Sequence, residues 1–308
     1  MHYWQHERAI VRNIRGKLRL ARRLRTIISH TGMLVTVGGL LMLLPLLALV
    51  GFPEQWRVAP GFALPALAQD KPIKIGVTGG PHAQIFEQVK KVAEKDGLKI
   101  QIVEFTDYVQ PNAALAAGDL DANSYQHKPY LDAQVKDRGY KIVSVGNTVN
   151  FPIGIYSKKV KDLKDLKEGA RVGIPNDPTN GGRVLLVFQD KGLIKLKPEA
   201  GLKATPLDII ENPKKIKFVE VDAAQLPRTL DDLDASAINT NYALSAGLNP
   251  GKDAISQENA KSPYVNLLAV REQDKDKPWV AKLVKAYHSD EIRKFIQSEF
   301  KGSVIAGF

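Results

Sequence analysis

Residues 73–105 read IKIGVTGGPHAQIFEQVKKVAEKDGLKIQIVEF, and the change of pattern within this stretch decides the fold. Residues 73–77 form a short β-rich run that ends in Thr78-Gly79-Gly80-Pro81, a turn. Over residues 82–96 the apolar positions become Ile85, Val89, Val92 and Ala93, which is helical spacing, and Gly97 stops the helix. Residues 99–105 then alternate as a strand. Strand, helix and strand in close succession predict a parallel sheet with helices on its faces.

The same grammar extends in both halves of the remaining chain. Pro111 and Asn112 open a predicted helix that Gly118 ends; a second covers 129–138 before Gly139, and a strand follows at 141–145. Further on, strands are predicted at 153–156, 170–174, 217–221, 235–239 and 265–270. Helical segments fall at 163–167, 182–191, 224–230, from Tyr242, and across 278–300. Two α/β units of this kind predict two lobes, over 71–148 with 268–308 and over 149–267. Ligands of open α/β sheets sit at the carboxyl ends of strands, so two facing sheets place a site in the cleft between them.

The formal net charge of +11 at first suggests a nucleic-acid partner. Its distribution argues against one. Nine of the basic residues lie in residues 1–68 beside only Glu7 and Glu54, which leaves 35 basic against 31 acidic residues in the body. No concentrated basic stripe remains there. The chain has no cysteine, which removes disulfides, thiolate metal sites, a cysteine nucleophile and cysteine-linked lipid from consideration.

Residues 1–70 read as a targeting segment. Eight positive charges between Arg8 and Arg25 precede a stretch from Thr26 to Pro53 without Asp, Glu, Lys or Arg. That length suits a membrane-spanning helix with its basic flank in the cytoplasm, which exports the body to the periplasm or cell envelope. Ala66-Leu67-Ala68 before Gln69-Asp70-Lys71 is a candidate cleavage site. Cleavage after Ala68 and an uncleaved inner-membrane anchor are both open readings.

Three clusters could carry chemistry. Residues 175–183, PNDPTNGGR, run from a strand end into a helix start. Glycine permits close backbone approach, a helix N-terminus favours an anion, and Arg183 adds a planar fork suited to a carboxylate. A turn with a surface arginine fits the same letters. Tyr108, Tyr125 and His127 could wall a pocket for an apolar or thioether side chain, or could be ordinary core aromatics. Asn239 ends a strand and Asn266 interrupts an apolar one; each amide could serve a zwitterion or a turn. The body's histidines, His82, His127 and His288, have no metal-ligand spacing, and neither a nucleophile elbow nor a nucleotide-binding loop occurs. Nothing in the sequence commits to bond making, and no cofactor or metal is expected.

Together the segments DYVQPNAALAAGDLDANSYQHKPYL (107–131), VGIPNDPTNGGR (172–183), AINTNYA (237–243) and SPYVNLLAVR (262–271) resemble the methionine-binding lipoproteins of the NlpA family, in order and over essentially all of 73–308. The resemblance implies a periplasmic-binding-protein type II fold, α/β, with two lobes joined by a hinge. It implies methionine, L or D, as ligand, and an ABC importer, permease and ATPase, as partner. By motif position, Tyr108, Tyr125 and His127 would surround the ligand side chain. Arg183 would pair with the α-carboxylate, and Asn239 and Asn266 would hold the head group. A related amino acid, a methionyl dipeptide, or an envelope-tethered module without transport are the alternatives. The family's lipid-bearing cysteine is missing, and Tyr125 stands where a phenylalanine is expected.

Overall fold

The computed structural model describes residues 71–177, 179–259 and 263–308; the targeting segment expected over 1–70 lies outside the described residues. The first lobe begins with β1 (Ile73–Thr78), α1 (Pro81–Lys95), β2 (Ile100–Phe105), α2 (Gln110–Ala117), β3 (Ala122–Ser124), α3 (Lys128–Arg138) and β4 (Ile142–Asn150). The second lobe contains β5 (Gly154–Tyr156), β6 (Arg171–Pro175), α4 (Asn180–Asp190), and a hairpin of β7 (Lys195–Leu196) and β8 (Ile209–Glu211). It continues with β9 (Lys217–Val221), β10 (Ala235–Ile238), α5 (Thr240–Ser245), α6 (Pro250–Asp253) and β11 (Ala254–Gln257). The chain then returns to the first lobe as β12 (Val265–Arg271), α7 (Pro278–Tyr287), α8 (Asp290–Phe300) and β13 (Ile305–Ala306).

The opening stretch folds as its pattern dictates. In β1 every residue but Lys74 is buried, as a strand covered on both faces requires. Helix α1 turns Ile85, Phe86, Val89 and Ala93 inward and leaves Glu87, Lys91 and Glu94 in water. At its end Leu98 N–H donates to Ala93 O and Gly97 N–H to Glu94 O, a Schellman cap that needs the positive φ of Gly97. One face of the sheet packs Ile75 and Val77 with Phe86, Leu283, Tyr287 and Ile292 from α1, α7 and α8. The other face packs Leu115, Leu120, Leu131 and Leu267. Each such buried aliphatic side chain contributes about 1.5–3 kcal/mol.

Six strands form the first sheet in the order β13-β4-β12-β3-β1-β2, and five form the second in the order β11-β5-β10-β6-β9. The parallel pairing expected from the sequence holds for β1 with β2 and β3, and for β6 with β9 and β10. Both sheets are nevertheless mixed. β12 lies antiparallel to β3 and β4, and β5 lies antiparallel to β10 and β11. The antiparallel pair β4–β12 continues into the antiparallel pair β5–β11, so the chain passes between lobes twice, side by side, as a two-stranded ribbon. Val265 faces Asn150 at one end of it and Gln257 faces Gly154 at the other. The boundaries expected at 148/149 and 267/268 fall inside β4 and β12; the described residues between the strands of the ribbon are 151–153, 258–259 and 263–264.

The stretch expected to be largely helical across 278–300 is so, divided into two helices because the Ser289 hydroxyl accepts from Ile292 N–H and starts a new one. Two local expectations give way to shorter structures. The segments expected to be helical at 163–167 and 224–230 are 3₁₀ turns at Leu163–Asp165 and Leu226–Leu230.

Candidate functional site

The carboxyl ends of β3, β6 and β10 converge on one cavity. Its walls carry all six residues singled out from the sequence: Tyr108, Tyr125, His127, Arg183, Asn239 and Asn266. Gln126, Tyr130, Phe151, Asn180 and Asn241 complete the lining.

Arg183 is buried rather than on the surface, with its side chain 3% exposed. Its Nε donates to both carboxylate oxygens of Glu258, at 2.9 and 3.0 Å, and one terminal nitrogen also pairs with Glu258 Oε2. The same nitrogen donates to Phe151 O at 2.8 Å. The Tyr264 ring packs against the group, its centre 4.3 Å from Arg183 Cζ. Among the described residues the other terminal nitrogen, Nη1, reaches only Asn180 Oδ1, at a long 3.4 Å.

The start of α4 works differently from the sequence-based expectation. Its amides are taken internally: Asp177 Oδ1 accepts from Asn180 N–H at 2.9 Å, and Asp177 O accepts from Gly181 N–H at 3.0 Å. The helix N-terminus therefore spends its affinity for anions on Asp177. The two glycines serve close approach to the protein's own backbone. A Cβ at Gly181 would lie 2.8 Å from Pro175 O; one at Gly182 would lie 2.6 Å from Leu202 O and 2.9 Å from Ala204 N. Gly182→Ala should therefore force α4 off the 202–204 turn and cost about 1–3 kcal/mol. Urea unfolding checks this, and an unchanged midpoint would refute the packing argument.

Asn180 is the polar hub. Its Oδ1 accepts from Asn239 Nδ2 at 3.1 Å and lies 3.1 Å from His127 Nε2. Since His127 Nδ1 accepts from Tyr130 N–H and caps α3, the proton sits on Nε2, which donates to Asn180. Across the site, His82 Nε2 lies 3.3 Å from Asn266 Nδ2, which leaves Asn266 Oδ1 directed elsewhere. Beneath the floor, Asn112 and Gln126 exchange two amide bonds, at 2.8 and 2.7 Å, and Asn123 donates to Asn112 at 2.9 Å. This buried amide cluster fixes the carboxyl end of β3, which Tyr125 and His127 follow. Asn239 Oδ1 and Asn241 Nδ2 are buried without a partner among the described residues, an acceptor and a donor available to a polar ligand.

Burial keeps the imidazoles and phenols around the site uncharged. It lowers the His82 and His127 pKa values to about 3, with the Arg183 charge as a further cause for His127. Burial also raises the Tyr108 and Tyr125 phenols well above their ordinary value. The lobes touch across the cavity. Tyr108 OH donates to Asn241 Oδ1 at 2.6 Å, Tyr242 OH donates to Thr106 O at 3.2 Å, and the Tyr108 and Tyr242 rings lie 5.0 Å apart.

Residues 73–308 match the profile of the NlpA lipoprotein family. The chain belongs to the NlpA lipoprotein family. Among its relatives, the D-methionine-binding lipoprotein MetQ of Salmonella typhimurium is 54% identical over 239 residues, covering 77% of this chain and 88% of the relative. The MetQ of Escherichia coli K12 is 53% identical over the same span of this chain and 88% of its own length. A nutrient binding protein from Burkholderia cenocepacia, solved bound to methionine, superposes with a TM-score of 0.76 at 61% identity, covering 77% of this chain and all of that one. A crystal structure of the methionine binding protein MetQ gives 0.75 at 53% identity, covering 77% of this chain and 98% of that one. The fold is the two-lobed type II binding fold.

This NlpA-family chain carries no cysteine, so its 308 residues offer no thiol for a lipid. Among the described residues, no helix is long and apolar enough to cross a membrane, and no cluster of His, Asp or Glu could hold a metal ion. The lining residues that sequence reading did not assign a role are Gln126, Tyr130, Phe151, Asn180 and Asn241, and behind the lining it missed Glu258 above all. Glu258 lies 75 positions from Arg183 on an irregular segment, where no periodicity marks it.

Proposed function

We propose that this chain captures methionine as a zwitterion between its lobes and hands it to an ABC importer consisting of a permease and an ATPase. The observation that carries this is one cavity with aromatic walls on one side and Arg183, Asn180, Asn239 and Asn266 on the other. The thioether packs against Tyr108, Tyr125 and the His127 ring, since polarizable sulfur interacts favourably with aromatic edges. Arg183 Nη1 takes the α-carboxylate, and Asn239 Oδ1 and Asn266 Oδ1 accept from the ammonium. The Tyr108–Asn241 and His127–Asn180 bonds join opposite lobes, so a ligand that contacts both sides favours the closed arrangement by its differential affinity for it. The ribbon where residues 151–153 run beside Glu258 is the hinge. The basic and apolar leader exports the lobes to the outer side of the cytoplasmic membrane.

The reading is tested by calorimetry on the purified protein with L-methionine, D-methionine, leucine and a methionyl dipeptide. One-to-one binding of a methionine isomer with a negative heat-capacity change is expected, as burial of the apolar side chain requires. Absence of heat with both isomers, or tighter binding of leucine or the dipeptide, would overturn it.

A further inference from the structure

We infer that Glu258, by neutralising Arg183 from behind, makes this pocket select zwitterions over anions that lack the ammonium group. The inference rests on the reading of Arg183 as the partner of the ligand carboxylate, and it assigns the substrate's charge class to a residue that does not itself line the cavity.

A guanidinium alone at the bottom of a dry pocket would draw in any carboxylate of suitable size. Arg183 is not alone. Two of its three nitrogens are engaged by Glu258, and both side chains are nearly inaccessible, at 3% and 6% exposed. Glu258 sits on the far side of the guanidinium from the cavity, among Leu186, Val187 and Tyr264. The remaining edge, Nη1, is the one presented to the cavity lining. The pair therefore offers hydrogen-bond donors to a carboxylate while supplying no net charge. Asp177 does not alter the balance toward anions, since its carboxylate is bound to the Thr179 and Asn180 amides, and His82 and His127 are neutral. A ligand bearing a carboxylate and nothing else brings an uncompensated charge into this medium, where charges interact strongly. A zwitterion brings its own compensation.

The pair also persists when the lobes separate. Glu258 N–H donates to Ile153 O at 3.0 Å, and Ile153 N–H donates to Glu258 Oε2 at 3.3 Å. Arg183 donates to Phe151 O on the same ribbon. Glu258 is thus held by the connection between lobes rather than by the opposite lobe, and Arg183 remains neutralised in the empty, open form.

The test compares methionine with its deaminated 2-oxo acid, which keeps the thioether and carboxylate and lacks the ammonium. Affinities are measured by calorimetry for the unmodified protein, Glu258→Gln and Glu258→Asp. The unmodified protein should prefer methionine strongly. Glu258→Gln should narrow that preference by about a hundredfold, the worth of one charge roughly 6 Å away in an effective dielectric of about 20. Glu258→Asp, which keeps the charge, should leave the preference within about threefold of the original. A purely structural role for Glu258 would weaken both ligands together and leave their ratio unchanged, and that result would overturn the inference. So would comparable affinities in the unmodified protein, a comparison that needs no variant to fold. Failure of the unmodified protein to bind methionine at all would instead sink the functional reading beneath it.

Discussion

Arg183→Met should abolish measurable methionine binding and at the same time lower stability by about 3–5 kcal/mol, because it strands the Glu258 carboxylate in the interior. For a unit of this size that corresponds to a fall in Tm of roughly ten degrees or more. The double variant Arg183→Met/Glu258→Gln removes both charges and should recover most of the lost stability. It should recover none of the affinity, since the ligand carboxylate then has no charged donor; a loss of more than about a hundredfold is expected. The pair of variants separates the two duties of the guanidinium, holding the ribbon and holding the ligand. Near-native methionine affinity in the folded double variant would remove Arg183 from the site, whatever the family membership.

A second large effect should appear in mild acid. His82 and His127 are buried, and each holds its folded pKa at about 3 against an ordinary value of 6.5. Between those values the unfolded chain takes up protons that the folded protein refuses. Stability is therefore complete above pH 6.5 and is lost progressively as the pH falls toward 3. The slope is about 1.4 kcal/mol per pH unit for each histidine. The lowered carboxylates Asp208, Asp234 and Asp274, whose ordinary value is 3.8, add to the loss only nearer that value. Protonation of His127 would also place a hydrogen on Nδ1, where Tyr130 N–H now donates, and so would remove the cap of α3. Urea unfolding at pH 7, 5.5 and 4.5 should show the decline, with His82→Gln and His127→Gln each reducing its slope. A flat profile would mean that these rings are not the neutral, sealed groups described above.

Much of the architecture was legible because it is written locally. The 3.6-residue spacing of Ile85, Val89 and Val92, and the stops at Gly97, Gly118 and Gly139, need no knowledge of distant residues. The clustering of Tyr108, Tyr125, His127, Arg183 and Asn239 was legible for another reason: each follows the carboxyl end of a strand, where α/β sheets collect their ligands, while Asn266 stands out as an amide in an apolar run and reaches the same edge because β12 runs antiparallel to β3. What escaped depends on pairing across the chain. β3, β7 and β13 have only two or three residues each, too few for a period, and exist because longer neighbours hold them. The direction of β12 is fixed by its partners β3 and β4, and an apolar run carries no sign of direction. Asp177 looked like one more turn residue, yet it consumes the amides that the glycine-rich motif was expected to offer a ligand. Glu258 is the clearest omission: a single acidic letter in SQENAKSP gives no hint that an arginine is folded onto it.

The ribbon between lobes has a consequence for biogenesis. β12 lies in the interior of the first sheet, between β3 and β4, but is encoded at residues 265–271, after the entire second lobe. A nascent chain that has emerged only as far as α6 therefore has its first lobe split down the middle, with β4 lacking the neighbour that joins it to β3. Closing so long a loop is slow, as folds dominated by sequence-distant contacts are. The delay keeps the polypeptide loose until almost all of it has left the ribosome.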